Sequence, residues 1–162
     1  MMKILGVDPG TVRCGYAVLQ FENATPRPLD YGVVRPPRGT ELPARLAIIH
    51  RGLSSLIQKH TPDVAAVEGA FYGANPRTAI KIGEARGIVL QAASSAGLEI
   101  HEYPPATVKK AVVGNGNASK EQVQEMVRVE LSLREIPSPD DAADALALAL
   151  CHCHRLRMNA LT

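Results

Sequence analysis

Short apolar runs that break at turn residues alternate in this chain with longer stretches whose apolar positions recur every three or four residues. The first run, Lys3 to Val7, ends in Asp8 and then Pro9-Gly10. It predicts a strand buried on both faces that stops at a sharp turn. Cys14 to Phe21 reads as a second strand, with Tyr16, Val18 and Phe21 among short or polar neighbours. Asn23 to Pro28 reads as a loop, Leu29 to Val34 as a third strand, and Pro36-Pro37 as its stop, which suits a sheet edge. Short connections between the three predict an antiparallel meander. Leu42, Leu46, Ile49, Leu53, Leu56 and Ile57 then recur at helical spacing behind Pro43, and Thr61-Pro62 ends that helix.

Asp63 to Glu68 follows a helix, so its short apolar run predicts a strand parallel to the first through a right-handed crossover. Asp63 opens this strand and Glu68 closes it, roughly 16 Å apart, so only Glu68 reaches the edge where Asp8 lies. Asp63 reads as a solvated loop acid. Asn75-Pro76 caps a helix running to about Ser95. Gly83 and Gly87 lie four apart within it, each costing about 1 kcal/mol relative to alanine, which implies close approach of another backbone. That backbone belongs either to the helix's own sheet or to a second copy of the chain. Leu98 to Tyr103 predicts a fifth strand, followed by a short basic helix with Lys109 and Lys110. Gly114-Asn115-Gly116-Asn117 forms a loop, and Ser119-Lys120-Glu121-Gln122 a capping box opening a helix whose buried face is Val123, Met126, Val127 and Leu131. A last helix runs from Ser138-Pro139 to about Arg157. The order β-β-β-α-β-α-β-α-α-α predicts a five-stranded mixed sheet flanked by helices, an α/β fold.

Length and composition narrow this picture only slightly. The 162 residues suit one domain, spanning 1–162, with a real core. A net charge of +2 neither requires nor excludes a nucleic-acid partner, because a basic patch needs only a few lysines and arginines. Three cysteines, no basic leader and no long apolar segment point to reduced thiols, a cytoplasmic location and no membrane.

The candidate chemistry is acidic. Asp8 and Glu68 end adjacent parallel strands, where ligands of open α/β sheets bind. Asp141 and Asp144, at i and i+3, share one helix face. The helix dipole accounts for Asp140 and Asp141 near the start but less well for Asp144. Two carboxylates about 4 Å apart repel by about 4 kcal/mol at an effective dielectric near 20, so four together need cations or protons. Oxygen ligands without histidine or cysteine fit Mg²⁺ or Mn²⁺. Two such metals per site would drive in-line phosphoryl displacement, which makes this a nuclease pattern.

Gly6-Val7-Asp8-Pro9-Gly10-Thr11, Val67-Glu68-Gly69-Ala70-Phe71, Val112-Val113-Gly114-Asn115-Gly116 before Ser119-Lys120, and Asp141-Ala142-Ala143-Asp144-Ala145-Leu146-Ala147 together resemble the RuvC Holliday junction resolvases. The motifs occur in order and span nearly the whole chain. The resemblance implies a ribonuclease H-like fold, a homodimer, and paired symmetric nicks in opposing strands of a four-way DNA junction during recombination and repair. It implies products with 5′-phosphate and 3′-hydroxyl ends, and the branch-migration proteins RuvA and RuvB as partners. The catalytic and metal-holding acids it implies are Asp8, Glu68, Asp141 and Asp144, with Lys109 and Lys120 on DNA and the Gly83 and Gly87 helix in the dimer.

Other residues carry weaker signals. Phe71 and Tyr72 are adjacent aromatics in a loop, so one is a candidate to stack on an unpaired base and the other to fill the core. Arg13, Arg77 and Lys81 lie near enough in sequence to the rim to meet DNA. Cys151-His152-Cys153-His154 resembles a zinc site only on paper, because i and i+2 side chains of a helix do not face each other. Cys153 is expected to be buried and the histidines partly exposed. Two rival functions are an ATPase of the actin and Hsp70 type, which needs a duplicated subdomain and a second phosphate loop, and a non-catalytic junction binder, in which four acids would repel DNA for no gain.

Overall fold

Alternation along the first strand sorts its side chains into two layers. In the computed structural model, which describes residues 1–69 and 75–162, the order of elements is β1 (Met2–Asp8), β2 (Cys14–Glu22), β3 (Thr25–Val34), α1 (Leu42–His60), β4 (Val64–Glu68), α2 (Pro76–Ser95), β5 (Glu99–Tyr103), α3 (Pro105–Val113), α4 (Lys120–Glu130) and α5 (Asp140–Ala160). The sheet runs β3-β2-β1-β4-β5, with β1 antiparallel to β2, β2 antiparallel to β3, and β1, β4 and β5 parallel. Ile4, Ala17, Leu19, Val64 and Ala66 pack under α5, α3 and α4. Leu5, Val7, Val18, Ala65 and Val67 pack under α1 and α2 with Ile49, Leu53 and Val89. Each large aliphatic side chain so buried contributes about 1.5–3 kcal/mol.

The period of two then decides where the acids point. Asp8 follows Ile4 and Gly6 on the α5 side of β1, and Glu68 follows Val64 and Ala66 on the α5 side of β4. Helix α5 lies so close to the sheet that a Cβ on Gly6 would stand 2.1 Å from the Ala145 carbonyl oxygen, and one on Gly15 2.0 Å from that of Asp141. Glycine at these two positions lets the start of the last helix reach the rim above β1 and β2.

Three local expectations need correction. Residues 23–28 are not a loop: the β2–β3 turn is Asn23-Ala24 alone, both at positive φ, and pairing resumes at Glu22↔Thr25. Pro26 and Pro28 fit because β3 is an edge strand, where a missing N–H donor is tolerated, and the register shift between Val18 and Leu19 makes room for Leu29. Met126 is 37 % exposed, leaving Val123, Val127 and Leu131 as the buried face of α4. Asp63 is exposed but not merely solvated: its carboxylate accepts from the Lys3 amide at 2.7 Å, and its own amide donates back to the Lys3 carbonyl at 2.8 Å. It thus extends the β1–β4 pairing by side chain. No helix among the described residues is long and apolar enough to cross a membrane.

Candidate active site

Asp8, Asp141 and Asp144 meet at the carboxyl ends of β1 and β4, each offering a carboxylate oxygen within 4.8 Å of the others. Among the described residues this is the cluster suited to a metal ion, and its all-oxygen donor set fits a hard divalent cation. Glu68 stands against Asp8, close enough for the two carboxyls to share a proton. Burial, then the charges of Glu68, Asp144 and Asp141, push the Asp8 carboxyl up to about 9. Burial also raises Asp144; Lys120 pulls against that shift and Asp141 adds to it. Without a cation the cluster therefore holds a proton, as like charges in one site require.

Two counter-charged side chains, Lys120 and Arg13, shape the cluster. The capping box at Ser119 sets the first turn of α4, where Ser119 Oγ accepts from the Gln122 amide at 3.2 Å and Gln122 Oε1 accepts from the Ser119 amide at 2.8 Å. Lys120 thereby faces the start of α5, with Nζ 3.2 Å from Asp140 Oδ2 and 3.9 Å from Asp144 Oδ2. Partial burial opposes its charge, but these carboxylates outweigh burial and raise its pKa above the ordinary lysine value. Asp140 faces α4, bound to Lys120 and Gln124, while Asp141 turns into the cluster. Adjacent in sequence, the two acids are separated by the helix's turn of about 100° per residue.

Arg13 does reach the rim, and it makes a contact the sequence did not predict. Its Nε donates to Asp141 Oδ2 while the side chain stays 42 % exposed. The loop that delivers it is folded tightly on itself, since a Cβ on Gly10 would lie 2.3 Å from the Arg13 carbonyl oxygen. Lys109, on α3, makes no ion pair among the described residues; with Lys120, Glu68 and Asp144 it lines a cleft of about 210 Å³. Arg77 and Lys81 stand exposed on the first turns of α2, away from any ion pair among the described residues. Phe71 and Tyr72 lie outside the described residues.

A second cleft, of about 320 Å³, opens on the other side of Glu68, between Asp8, Ile82 and Arg86. Arg86 was not singled out from the sequence. Its only advance signal is that, with Glu84, it puts charge on a stretch of α2, Ile82 to Val89, whose other residues are apolar or small.

The Cys151 to His154 run forms no metal cluster among the described residues. Cys153 is buried as expected, but so is His152, whose exposure is only 2 %. Helix α5 is sandwiched between the sheet and α3 and α4, which buries nearly every position from Ala142 to Cys153. The His152 Nδ1 and Tyr103 hydroxyl share a hydrogen bond of 2.7 Å, and burial, with His101 and Arg155 nearby, lowers the imidazole to about 4. His154 is half-buried and pairs with Glu130 at 2.9 Å.

A family model described as "Crossover junction endodeoxyribonuclease RuvC" matches residues 4–152. A protein of that name from Heliobacterium modesticaldum is 50 % identical over 145 residues, covering 90 % of each chain. Another from Chloroflexus aurantiacus is 48 % identical over 145 residues, 90 % of this chain and 88 % of that one. The structure of Thermus thermophilus RuvC in complex with a Holliday junction substrate superposes with a TM-score of 0.91 at 37 % identity, covering 98 % of this chain and 97 % of that one.

Proposed function

The chain belongs to the RuvC family of crossover junction endodeoxyribonucleases, and from that premise we propose that Asp8, Glu68, Asp141 and Asp144 are its catalytic and metal-holding residues. The protein is a structure-specific, metal-dependent endonuclease of the ribonuclease H-like fold that resolves Holliday junctions. The observation that carries the site assignment is the convergence of Asp8, Asp141 and Asp144 within 4.8 Å, with Glu68 against Asp8. We assign two Mg²⁺ or Mn²⁺ ions per site, which when bound would activate water and stabilise the leaving 3′ oxygen.

The chain's own groups divide the remaining work. Asp8 sits centrally, charge-coupled to all three other acids. Lys120 keeps a positive charge at the edge of the cluster, and Lys109 lines the same cleft, so the two are placed to hold backbone phosphates of the junction. The Gly114 to Asn117 loop and the N-terminus of α4 offer amides beside them. Arg13 spends only its Nε on Asp141 and is 42 % exposed, so its terminal nitrogens remain for DNA, and Arg77, Phe71 and Tyr72 complete the assigned DNA contacts.

The further reading is a single domain over 1–162 acting as a homodimer, since two sites about a two-fold axis match a junction's symmetry. Support comes from α2, where a Cβ on Gly83 or Gly87 would meet nothing within 4 Å among the described residues and Ile80 is 59 % exposed. These glycines serve no packing on their own sheet. Family membership supports RuvA and RuvB as partners and the cytoplasm as location. One experiment tests the core reading: incubation with a synthetic mobile junction and each divalent metal in turn, with nicks mapped at nucleotide resolution. Paired nicks at symmetric positions with 5′-phosphate ends are expected with Mg²⁺ or Mn²⁺. Cleavage that persists in EDTA, or that falls on one strand only, would overturn it.

A further inference from the structure

Alternation along β5 places His101 and Tyr103 toward α5 and Glu102 toward the opposite layer, where α2 lies. There the Arg86 Nη2 pairs with Glu102 Oε1. The guanidinium is tied at one end by this pair, and its side chain is 22 % exposed. Its Nε is buried and has no acceptor among the described residues. Arg86 also lines the cleft that opens at the strand ends beside Asp8 and Glu68. Lys109 and Lys120 line the other cleft, and Glu68 is a wall of both. Positive side chains thus flank the acids on two sides of Glu68.

A guanidinium carries five donors in a planar fork that matches a phosphate, and its terminal nitrogens can serve two partners at once. Glu102 engages Nη2 and Nε is enclosed, which leaves Nη1 for the cleft that Arg86 lines. We propose that Arg86 contacts a phosphate of the cut strand, on the side of Glu68 away from Lys109 and Lys120. The cut strand then crosses the rim over Glu68, held by lysines on one side and a guanidinium on the other. Glu102 is the positioning residue that fixes the fork. This assignment rests on the reading of the rim as the DNA-cutting site.

The test measures binding of a labelled four-way junction with Ca²⁺ replacing the active metal, from 50 to 200 mM salt. Each lost phosphate contact lowers the slope of log K against log salt by about 0.9. Arg86→Gln is expected to weaken binding and reduce the slope by about that amount per site, and Arg86→Lys to restore the slope. Glu102→Gln separates the alternatives: the Arg86 charge stays, so the slope stays, while the rate of nicking on saturated junction falls because the fork is no longer fixed. If Arg86 serves only to pair with Glu102, both Gln variants lower the melting temperature alike and leave the slope unchanged, and the proposal fails. Lys109→Ala and Lys120→Ala, run in parallel, separate the two levels of inference. An unchanged slope in these as well would remove the rim as the DNA face, whereas a change in these but not in Arg86→Gln would remove Arg86 alone.

Discussion

Replacing Asp8 with Asn tests the electrostatics of the site most directly, because asparagine mimics the protonated acid and cannot carry the charge. In the unfolded chain the carboxyl titrates near 3.8, and in the folded, metal-free protein near 9. Folding therefore takes up a proton between these values, so stability is fully present below about 4 and falls as pH rises toward 9. At roughly 1.4 kcal/mol per unit, the penalty reaches about 4 kcal/mol at pH 7. Water at the open rim screens part of the repulsion, leaving an expected gain for Asp8→Asn on the order of 2 kcal/mol. For a domain of this size that is a rise of about 4–8 °C in melting temperature. Thermal melts in EDTA from pH 5 to 9 should show the variant above the parent, by a margin that widens with pH. Saturating Mn²⁺ should reverse the order, since a ligand that binds only the folded parent stabilises only the parent. Asp8→Asn should also abolish nicking while junction binding survives. A variant that melts below the parent at pH 8 in EDTA, or a margin that stays flat with pH, would refute the argument.

Lys109→Ala and Lys120→Ala should each weaken junction binding and flatten its salt dependence, by about 0.9 in slope per contact, read by fluorescence anisotropy. Gly15→Ala would place a methyl carbon 2.0 Å from the Asp141 carbonyl oxygen, so α5 must move. Its expected cost is about 1–3 kcal/mol in thermal melts, with weaker Mn²⁺ binding by electron paramagnetic resonance; an unchanged melt would contradict the close packing. His152 is lowered to about 4, so the stability it confers is present above 6.5 and is lost as pH falls toward 4. His152→Phe should therefore flatten the acid-side decline in melting temperature while costing about 1 kcal/mol at neutral pH for the Tyr103 hydroxyl left without its partner; an unaltered slope would count against a buried neutral imidazole.

The parts of this site that were legible in the sequence follow short-range rules. A period of two along β1 and β4 sends Asp8 and Glu68 to the same side of adjacent strands, and a spacing of three puts Asp141 and Asp144 on one helix face. The parts that were not legible depend on where a helix lies on the sheet. Whether Asp140 or Asp141 enters the cluster turns on the roll of α5, which Gly6 and Gly15 set through contacts more than a hundred residues apart. Arg13 meeting Asp141 spans a separation of 128 residues, and Arg86 meeting Glu102 needs α2 laid against the end of β5. His152 looked partly exposed because helical spacing says nothing about how many layers cover a helix. The prolines of β3 read as a loop because edge-strand tolerance depends on strand order, which no local window contains.

The first and last elements of the fold each hold part of the acid cluster: Asp8 ends β1, and Asp141 and Asp144 open α5. On a ribosome these parts emerge at opposite ends of synthesis. Until residues 140–144 have left the exit tunnel and α5 has docked on Gly6 and Gly15, the growing chain lacks two of the four acids proposed to hold the metal. On the proposed assignment, a chain that ends before α5, whether stalled or clipped, would leave DNA uncut. Assembly order would then act as a safety catch that requires no inhibitor.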